Sequence, residues 1–489
     1  MRPGVILLAT GFAVLAGCAV GPDYHRPEAV KSGPVPGAFT DQGSPTNGPQ
    51  WKAAEPSAQL PRGVWWEIFG DAELNRLETL AGADNQDLAA SAARFEQARA
   101  GVGIARANFF PQLSVQPNLI RQRTSVNAPQ LGMAAGASYT YNTYMVPLDL
   151  SWELDLWGRV RRQTESARAG FSAAVEDLES VKLALQAEVA ADYFTLRALE
   201  AERSLVADTV EAYRRSLELT QNRRKGGIVS DLDVSEAETQ LRSTDAELPA
   251  IDLQRANLLH ALATLCGRPA TGFQVAGAAS ITNAVPSLPA GLPSRLLERR
   301  PDISAAERRM AASNADVGVA RTAFYPEIVF NGMGGFESLN ASTVFDWPSR
   351  LWAIGPSLNL PLFTGGRNRA QLASARAAYD EAVANYRQIV LIAFEEVEDQ
   401  LAAQRLLTQE LDAESAAFTA ASRTLEIANN RYKSGLVTYL EVATAQSAAL
   451  ANERSVVQLQ GQRFVAQVAL IKALGGGWES DAKQAYRQP

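Results

Sequence analysis

Proline is absent between Pro361 and Pro489, and glycine is absent from Arg367 to Ser434. Within that span apolar residues recur at steps of three and four: Tyr379, Val383, Tyr386, Val390, Phe394, Val397 and Leu401. A stripe at nearly heptad spacing predicts a helix. About 65 residues at a 1.5 Å rise make a rod of roughly 100 Å. No compact domain buries a stripe of that length, so the rod must lie along other long helices. A companion lies upstream. Arg159 to Asn222 also lacks proline, and Leu178, Val181, Leu185, Val189, Leu196, Leu199, Val206, Val210, Tyr213 and Leu217 fall on one seam.

The two rods belong to an internal duplication. Asp87 to Leu113 aligns without gaps on Asp302 to Ile328, matching Asp87, Arg94, Gly103, Arg106, Phe109 and Pro111 to Asp302, Arg309, Gly318, Arg321, Phe324 and Pro326. The rod ends repeat as well: "NRRKGGIVSDLDV" from Asn222 corresponds to "NRYKSGLVTYLEV" from Asn430, and Gly267 to Gly475. Such self-similarity predicts two structural repeats, residues 64–266 and 295–474. Each runs helix, strand, strand, long helix, tight turn, shorter helix. A Pro-, Gly- and Ala-rich linker, 267–294, separates them, and 475–489 form a tail. Asp71 suits the N-cap of a short first helix. Pro249 should kink or split the helix that follows the first tip turn.

Strands are expected at about 111–125 and 137–157 in the first repeat, and at about 327–336 and 351–363 in the second. From Leu148 to Leu156 the apolar Leu148, Leu150, Trp152, Leu154 and Leu156 alternate with Asp149, Ser151, Glu153 and Asp155. Trp352, Ile354, Leu358, Leu360 and Leu362 alternate likewise with Ser357 and Asn359. Carboxylates on one side and apolar residues on the other suit strands between lipid and a watery lumen. One chain offers four strands, too few to close a membrane barrel without edges. Three copies would supply twelve, within the range of closed barrels. The long helices are expected at about 159–222 and 366–432, with tip turns at 225–230 and 433–438.

Met1 to Gly17 reads as an export signal: Arg2, an apolar run from Val5 to Leu15, then "LAGC". "LAGC" resembles the lipobox of bacterial lipoproteins, which makes Cys18 the expected lipidated first mature residue. Residues 18–63, rich in Pro, Gly and Ser, read as an extended arm tied to that lipid. A net charge of -7 gives no basic footprint for nucleic acid. The two histidines, His25 and His260, are far apart, so no metal site is expected. HExxH, a phosphate-binding loop with its lysine, and GxSxG are all missing. No catalytic residue and no cofactor is expected.

The chain resembles the bacterial outer-membrane efflux ducts of the TolC, OprM and NodT type, above all the NodT-like lipoprotein branch. The resemblance rests on the lipobox followed by "AVGPDYHRPE", on "WWEIFGDAELNRL", "ELPAIDLQRANLLHALATLCG" and "GLPSRLLERRPDISAAERRMAASNADVGVARTAFYP", and on the closing "KALGGGW". It implies a mainly α fold with a transmembrane β-barrel: a homotrimer with a twelve-stranded barrel in outer-membrane lipid and a long α-helical barrel in the periplasm. It further implies a non-enzymatic exit duct in a tripartite efflux system, with a periplasmic adaptor (a membrane fusion protein) and an inner-membrane RND-type pump as partners. Two alternatives stand beside it. One is a duct for a type I peptide- or protein-secretion system, the other a lipid-anchored periplasmic coiled-coil scaffold.

The resemblance also singles out residues. Gly227, Ile228, Val229, Gly435, Leu436 and Val437 become expected adaptor contacts at the tips. The gate candidates are Asp231, Asp233, Arg431, Tyr432 and Glu441, because acidic rings near the tapered end of such ducts hold or select cations. Arg431 and Tyr432 match the family's "RY" before the tip. The OprM-like aspartate two residues beyond the tip glycine is replaced here by Val437, and by Val229 in the first half.

Overall fold

The structure, a computed structural model, describes residues 19–31, 39, 63–127, 138–276, 286 and 299–476. The export signal, Cys18, most of the arm, most of the linker and the end of the tail lie outside the described residues. A 3-10 turn, Trp65–Phe69, leads into α1 (Ala72–Asp84) and α2 (Gln86–Ala107). The strands β1 (Gln112–Val115), β2 (Asn118–Arg123) and β3 (Thr140–Glu153) follow, then α3 (Arg159–Lys225), α4 (Asp231–Asp245) and α5 (Glu247–Leu265). The second half comprises α6 (Pro301–Thr322), β4 (Glu327–Ser338), β5 (Arg350–Asn359), α7 (Arg367–Lys433) and α8 (Tyr439–Ala473). Among the described residues no helix is long and apolar enough to cross a membrane.

The duplication extends to lengths and to individual bonds. The rods α3 and α7 each contain 67 residues, and α2 and α6 each contain 22. Asn85 donates to the Leu265 carbonyl at the end of α5 (2.9 Å), and the equivalent Arg300 donates to the Ala473 carbonyl at the end of α8 (3.2 Å). Gly267 and Gly475 then turn the chain with φ of 65° and 89°. A Cβ on Gly267 would lie 2.1 Å from the Asp84 carbonyl oxygen, so glycine is required there by space as well as by φ. One difference between the halves has a local cause. Pro249 has no N–H for the Asp245 carbonyl and its ring crowds it, so the helix breaks at Ala246 into α4 and α5. The proline-free counterpart, α8, is one helix of 35 residues.

Two compact units divide the chain. The first, Met1–Pro27, Phe95–Ala174 and Ala306–Tyr386, contains the sheet. Here the segment 19–27 straps across helices. Val20 N–H donates to the Trp157 carbonyl (2.9 Å), Asp23 pairs with Arg162 (2.9 Å), Asn314 donates to the Pro22 carbonyl (3.1 Å), and Arg26 donates to the Tyr386 hydroxyl (2.9 Å).

The second unit, Glu28–Arg94, Val175–Ala305 and Arg387–Pro489, has its core around Phe69, Phe194 and Phe464. Phe194 stacks on Phe464 at 4.7 Å, and Phe69 lies 4.8 Å from Phe194. Asp71 caps α1, accepting from the Glu73 and Leu74 amides at 2.9 and 3.1 Å, and its other oxygen accepts from the Tyr193 hydroxyl at 2.6 Å. The cap thus fixes both the start of a helix and its docking on α3. On α7, Val390, Ala393 and Val397 are fully buried. The stripe follows its predicted spacing, with Ala393 taking the buried position beside half-buried Phe394.

Candidate functional site

The sheet is antiparallel throughout, in the order β1-β3-β4-β5, with β2 also paired to β3. Sequence alternation suggests one first strand over 111–125. Instead β1 and β2 lie along β3 in a single unbroken register, from Gln112 opposite Ser151 to Arg123 opposite Thr140. In that register Pro117 interrupts the first strand and Pro147 lies opposite Gln116. Neither proline can donate to a ladder, so the strand is written in two pieces.

Directly opposed residues share a face, so the register sorts the side chains. One face carries Leu113, Val115 and Leu119, then Val146, Leu148, Leu150 and Trp152, then Ile328, Phe330 and Phe336, then Trp352, Ile354 and Leu358. The other is mixed, with Gln112, Ser114, Asn118 and Gln122, then Asp149, Ser151 and Glu153, then Glu327, Asn331 and Glu337, then Ser357 and Asn359 set among Ile120, Met145, Val329, Met333 and Leu351. The apolar face is bare in the single chain, with Trp352 76% and Leu358 65% exposed. A continuous apolar surface of this kind calls for lipid or another protein. Gly335, opposite Pro147, lets β3 and β4 close, because a Cβ there would sit 2.2 Å from the Val146 carbonyl oxygen.

Two predicted strand ends differ. β5 stops at Asn359, leaving Leu360, Leu362 and Phe363 beyond it. β3 stops at Glu153, and Asp155 faces the start of α3, accepting from the Val160 and Arg161 amides at 3.0 Å each. A carboxylate at a helix N-terminus satisfies amides that the helix itself cannot. Glu153 pairs with Arg159.

The hairpin tips are built from matched backbone turns. Gly227 and Gly435 have φ of 67° and 75°. Gly227 N–H donates to the Arg224 carbonyl and Ile228 N–H to the Arg223 carbonyl, both at 2.9 Å. Gly435 and Leu436 do the same with Tyr432 (2.9 Å) and Arg431 (3.0 Å). This is the Schellman closure of a helix C-terminus, which needs a left-handed residue at that position.

Side chains then depart from the symmetry. In the first tip Arg224 grips Asp231 through two bonds of 2.6 and 2.8 Å. Arg224 holds that carboxyl below its usual range. The matching positions in the second tip hold Tyr432 and Tyr439, edge to face at 5.5 Å, both buried. Asp233 accepts from the Ser230 N–H (2.9 Å) in a capping box that starts α4, and from the Tyr439 N–H (3.0 Å) that starts α8. Partial burial opposes the charge of Asp233, but the hydrogen bonds from Ser230 and Tyr439 outweigh it and hold the carboxyl below the usual range. Glu441, in the place of Asp233, pairs with Arg431 at 3.5 Å.

The sequence profile described as "Outer membrane efflux protein" matches residues 78–268 and 292–476. The outer membrane protein OprJ of Pseudomonas aeruginosa is 35% identical over 467 residues, covering 95% of this chain and 94% of its own. The probable efflux pump outer membrane protein TtgC of Pseudomonas putida is 32% identical, covering 100% and 98%. The chain belongs to the outer membrane efflux protein family. The solved outer-membrane channel OprN superposes with a TM-score of 0.84 at 31% identity, over 94% of this chain and 100% of that one. The fold is that of the TolC-type outer-membrane channels.

Within this family member, the six tip residues expected to contact an adaptor divide by exposure. Ile228 is 65% and Leu436 71% exposed, whereas Val229 and Val437 pack against the Tyr432–Tyr439 cluster. Two exposed apolar residues lie beyond the expected set: Leu232, 67%, and Leu440, 58%. Each lies in the first turn of the helix that leaves its tip, four residues after Ile228 or Leu436. The gate candidates come together in this chain as Asp231 with Arg224, Glu441 with Arg431, and Tyr432 and Asp233 within one cluster. Arg223, outside the set of gate candidates, joins that cluster by donating to the Tyr432 carbonyl at 2.8 Å.

Proposed function

We propose that the chain is the exit duct of a tripartite efflux system: three copies closing a twelve-stranded barrel in the outer membrane, continued by a helical barrel in the periplasm. The observation that carries this reading is the two-faced sheet with open edges. β5 and the β1/β2 strand each leave one row of backbone groups unpaired within the chain. In hydrocarbon every such group must find a partner, and the opposite edge of a sister copy provides it, β5 of one against β1/β2 of the next. The apolar face then meets lipid, and the face bearing Asp149, Glu153, Glu327 and Asn359 meets water. Family membership supports the outer-membrane setting, and the names of the relatives favour efflux over peptide secretion. A lipidated scaffold has no use for such a sheet.

The tips are where an adaptor would engage. Ile228, Leu232, Leu436 and Leu440 offer apolar contacts on turns whose backbone is already satisfied. Gating would fall to the Arg223, Asp233, Tyr432 and Tyr439 cluster. An inner-membrane pump would supply the energy, and Cys18 the lipid anchor. The test is reconstitution of the purified chain. Heat-modifiable migration as a trimer and discrete conductance steps in a planar bilayer are expected; a monomer without pores would end the reading.

A further inference from the structure

One cavity in the sheet-bearing unit serves neither the tips nor the apolar face of the sheet. It encloses about 660 Å3 and lies where the lower ends of β3, β4 and β5 meet the last turns of α6 and the first turns of α3 and α7. That volume falls in the range that holds a drug-sized molecule, roughly 300–1,000 Å3. Its sheet residues Glu153, Glu327 and Asn359 are on the mixed face.

The wall has two chemical characters. Trp157 and Tyr325 form an aromatic pair with centroids 5.1 Å apart, and the indole is pinned by its N–H donating to the Pro326 carbonyl at 2.7 Å. Four carboxylates line the same space against two arginines. Two of the four are already engaged: Glu153 by Arg159, and Asp155 by Arg161 and the first amides of α3. Glu327 and Asp316 are left without an ion pair among the described residues, Arg159 acting on Glu327 only at longer range. Burial raises the Asp316 carboxyl above its usual range, against the opposing bond from Ser166. A cation beside it would favour the charged form. Aromatic faces attract cations through their quadrupole, worth roughly 0.5–2 kcal/mol depending on desolvation.

We propose that this alcove binds amphiphilic aromatic cations, which lay their rings against Trp157 and Tyr325 and their charge toward Glu327 and Asp316. On the duct reading it is a stopping place for such molecules in the channel wall; the binding itself does not depend on that reading.

The test uses the purified full-length chain in neutral detergent, with tetraphenylphosphonium as probe and tetraphenylborate, alike in shape and opposite in charge, as control. Equilibrium dialysis against empty micelles should show saturable uptake of the cation, about one per chain as one such alcove allows, and no saturable uptake of the anion. Glu327→Gln combined with Asp316→Asn should weaken uptake at least tenfold. Tyr325→Ala should do the same, and Tyr325→Phe, which keeps the ring, should bind like the parent. Glu327 is exposed, so Glu327→Gln alone is safe for folding and should weaken binding several-fold. Equal saturable binding of both ions, parent-like binding by the charge variants, or no uptake beyond micelles would overturn the proposal. Bilayer conductance of the same preparation separates the two ideas. A conducting chain that binds no cation loses the alcove and keeps the duct; a binding chain that never conducts keeps the alcove and loses the duct.

Discussion

Arg223 is joined to Tyr432 twice: its guanidinium donates to the tyrosine carbonyl at 2.8 Å and lies 4.8 Å from the ring centroid. In the second half the equivalent arginine, Arg431, turns instead to Glu441 on its own hairpin. Arg223 and Asp233 thus both reach from the first hairpin to the second, at Tyr432 and at Tyr439. A charge-assisted hydrogen bond contributes about 1.5–3 kcal/mol, so the two ties are the strongest polar links between the hairpins at the tip.

Removing both links with Arg223→Ala and Asp233→Ala should therefore loosen the tip. Resting conductance in planar bilayers is expected to rise several-fold while the oligomer survives on a gel. Conductance equal to that of the parent would show that the ties do not hold the channel shut.

At the tip turns a Cβ meets no neighbour on either Gly227 or Gly435. Any cost of substitution there is conformational, about 1–2 kcal/mol for an ordinary residue in the left-handed region and less for asparagine. Gly435→Asn should keep export of a toxic compound in a cell-based resistance assay. Gly435→Glu and Gly227→Glu should abolish it with trimer formation intact, because a charge enters the proposed adaptor surface. Resistance equal to the parent in the glutamate variants would remove that surface from consideration.

In the sheet, neighbouring glycines should behave differently. Gly335→Val drives a side chain into the Val146 carbonyl and should abolish the heat-modifiable barrel. Gly334→Ala, with nothing within 4 Å of its Cβ, should leave it unchanged. Gel mobility before and after boiling reads both.

Glu78 is 3% exposed and neither carboxylate oxygen has a hydrogen-bond partner. Burial pushes its pKa up to about 9. A raised native pKa means the folded chain holds a proton that the unfolded chain has released. The associated stability is complete below the unfolded carboxylate range near 4.5 and is lost as pH rises through about 9. Glu78→Gln, always neutral, should melt near the parent at pH 4, above it at pH 7, and further above it at pH 9. A melting difference that is constant with pH would mean that Glu78 is not buried as a neutral acid.

Whatever depends on neighbours along the chain is legible in the letters alone. Proline-free stripes give two long rods because a helix is a local object. Glycine at Gly227 and Gly435 gives the turns because only a residue tolerant of positive φ closes them. Pro249 gives the break because it lacks an amide proton. The duplication is countable residue by residue. Contacts between residues distant in sequence settle the rest, and these exist only once the chain has packed. The interruption between β1 and β2 involves Pro147 across the ladder, which no reading of 111–125 alone reveals. Asp155 continues an alternating pattern, yet the turn at Gly158 hands it to the amides of α3. Asp233 and Glu441 look equivalent as letters, and only the meeting of two hairpins turns the first toward Tyr439 and leaves the second with Arg431. Glu78 is buried on a short helix, and its burial follows from packing that local spacing does not encode.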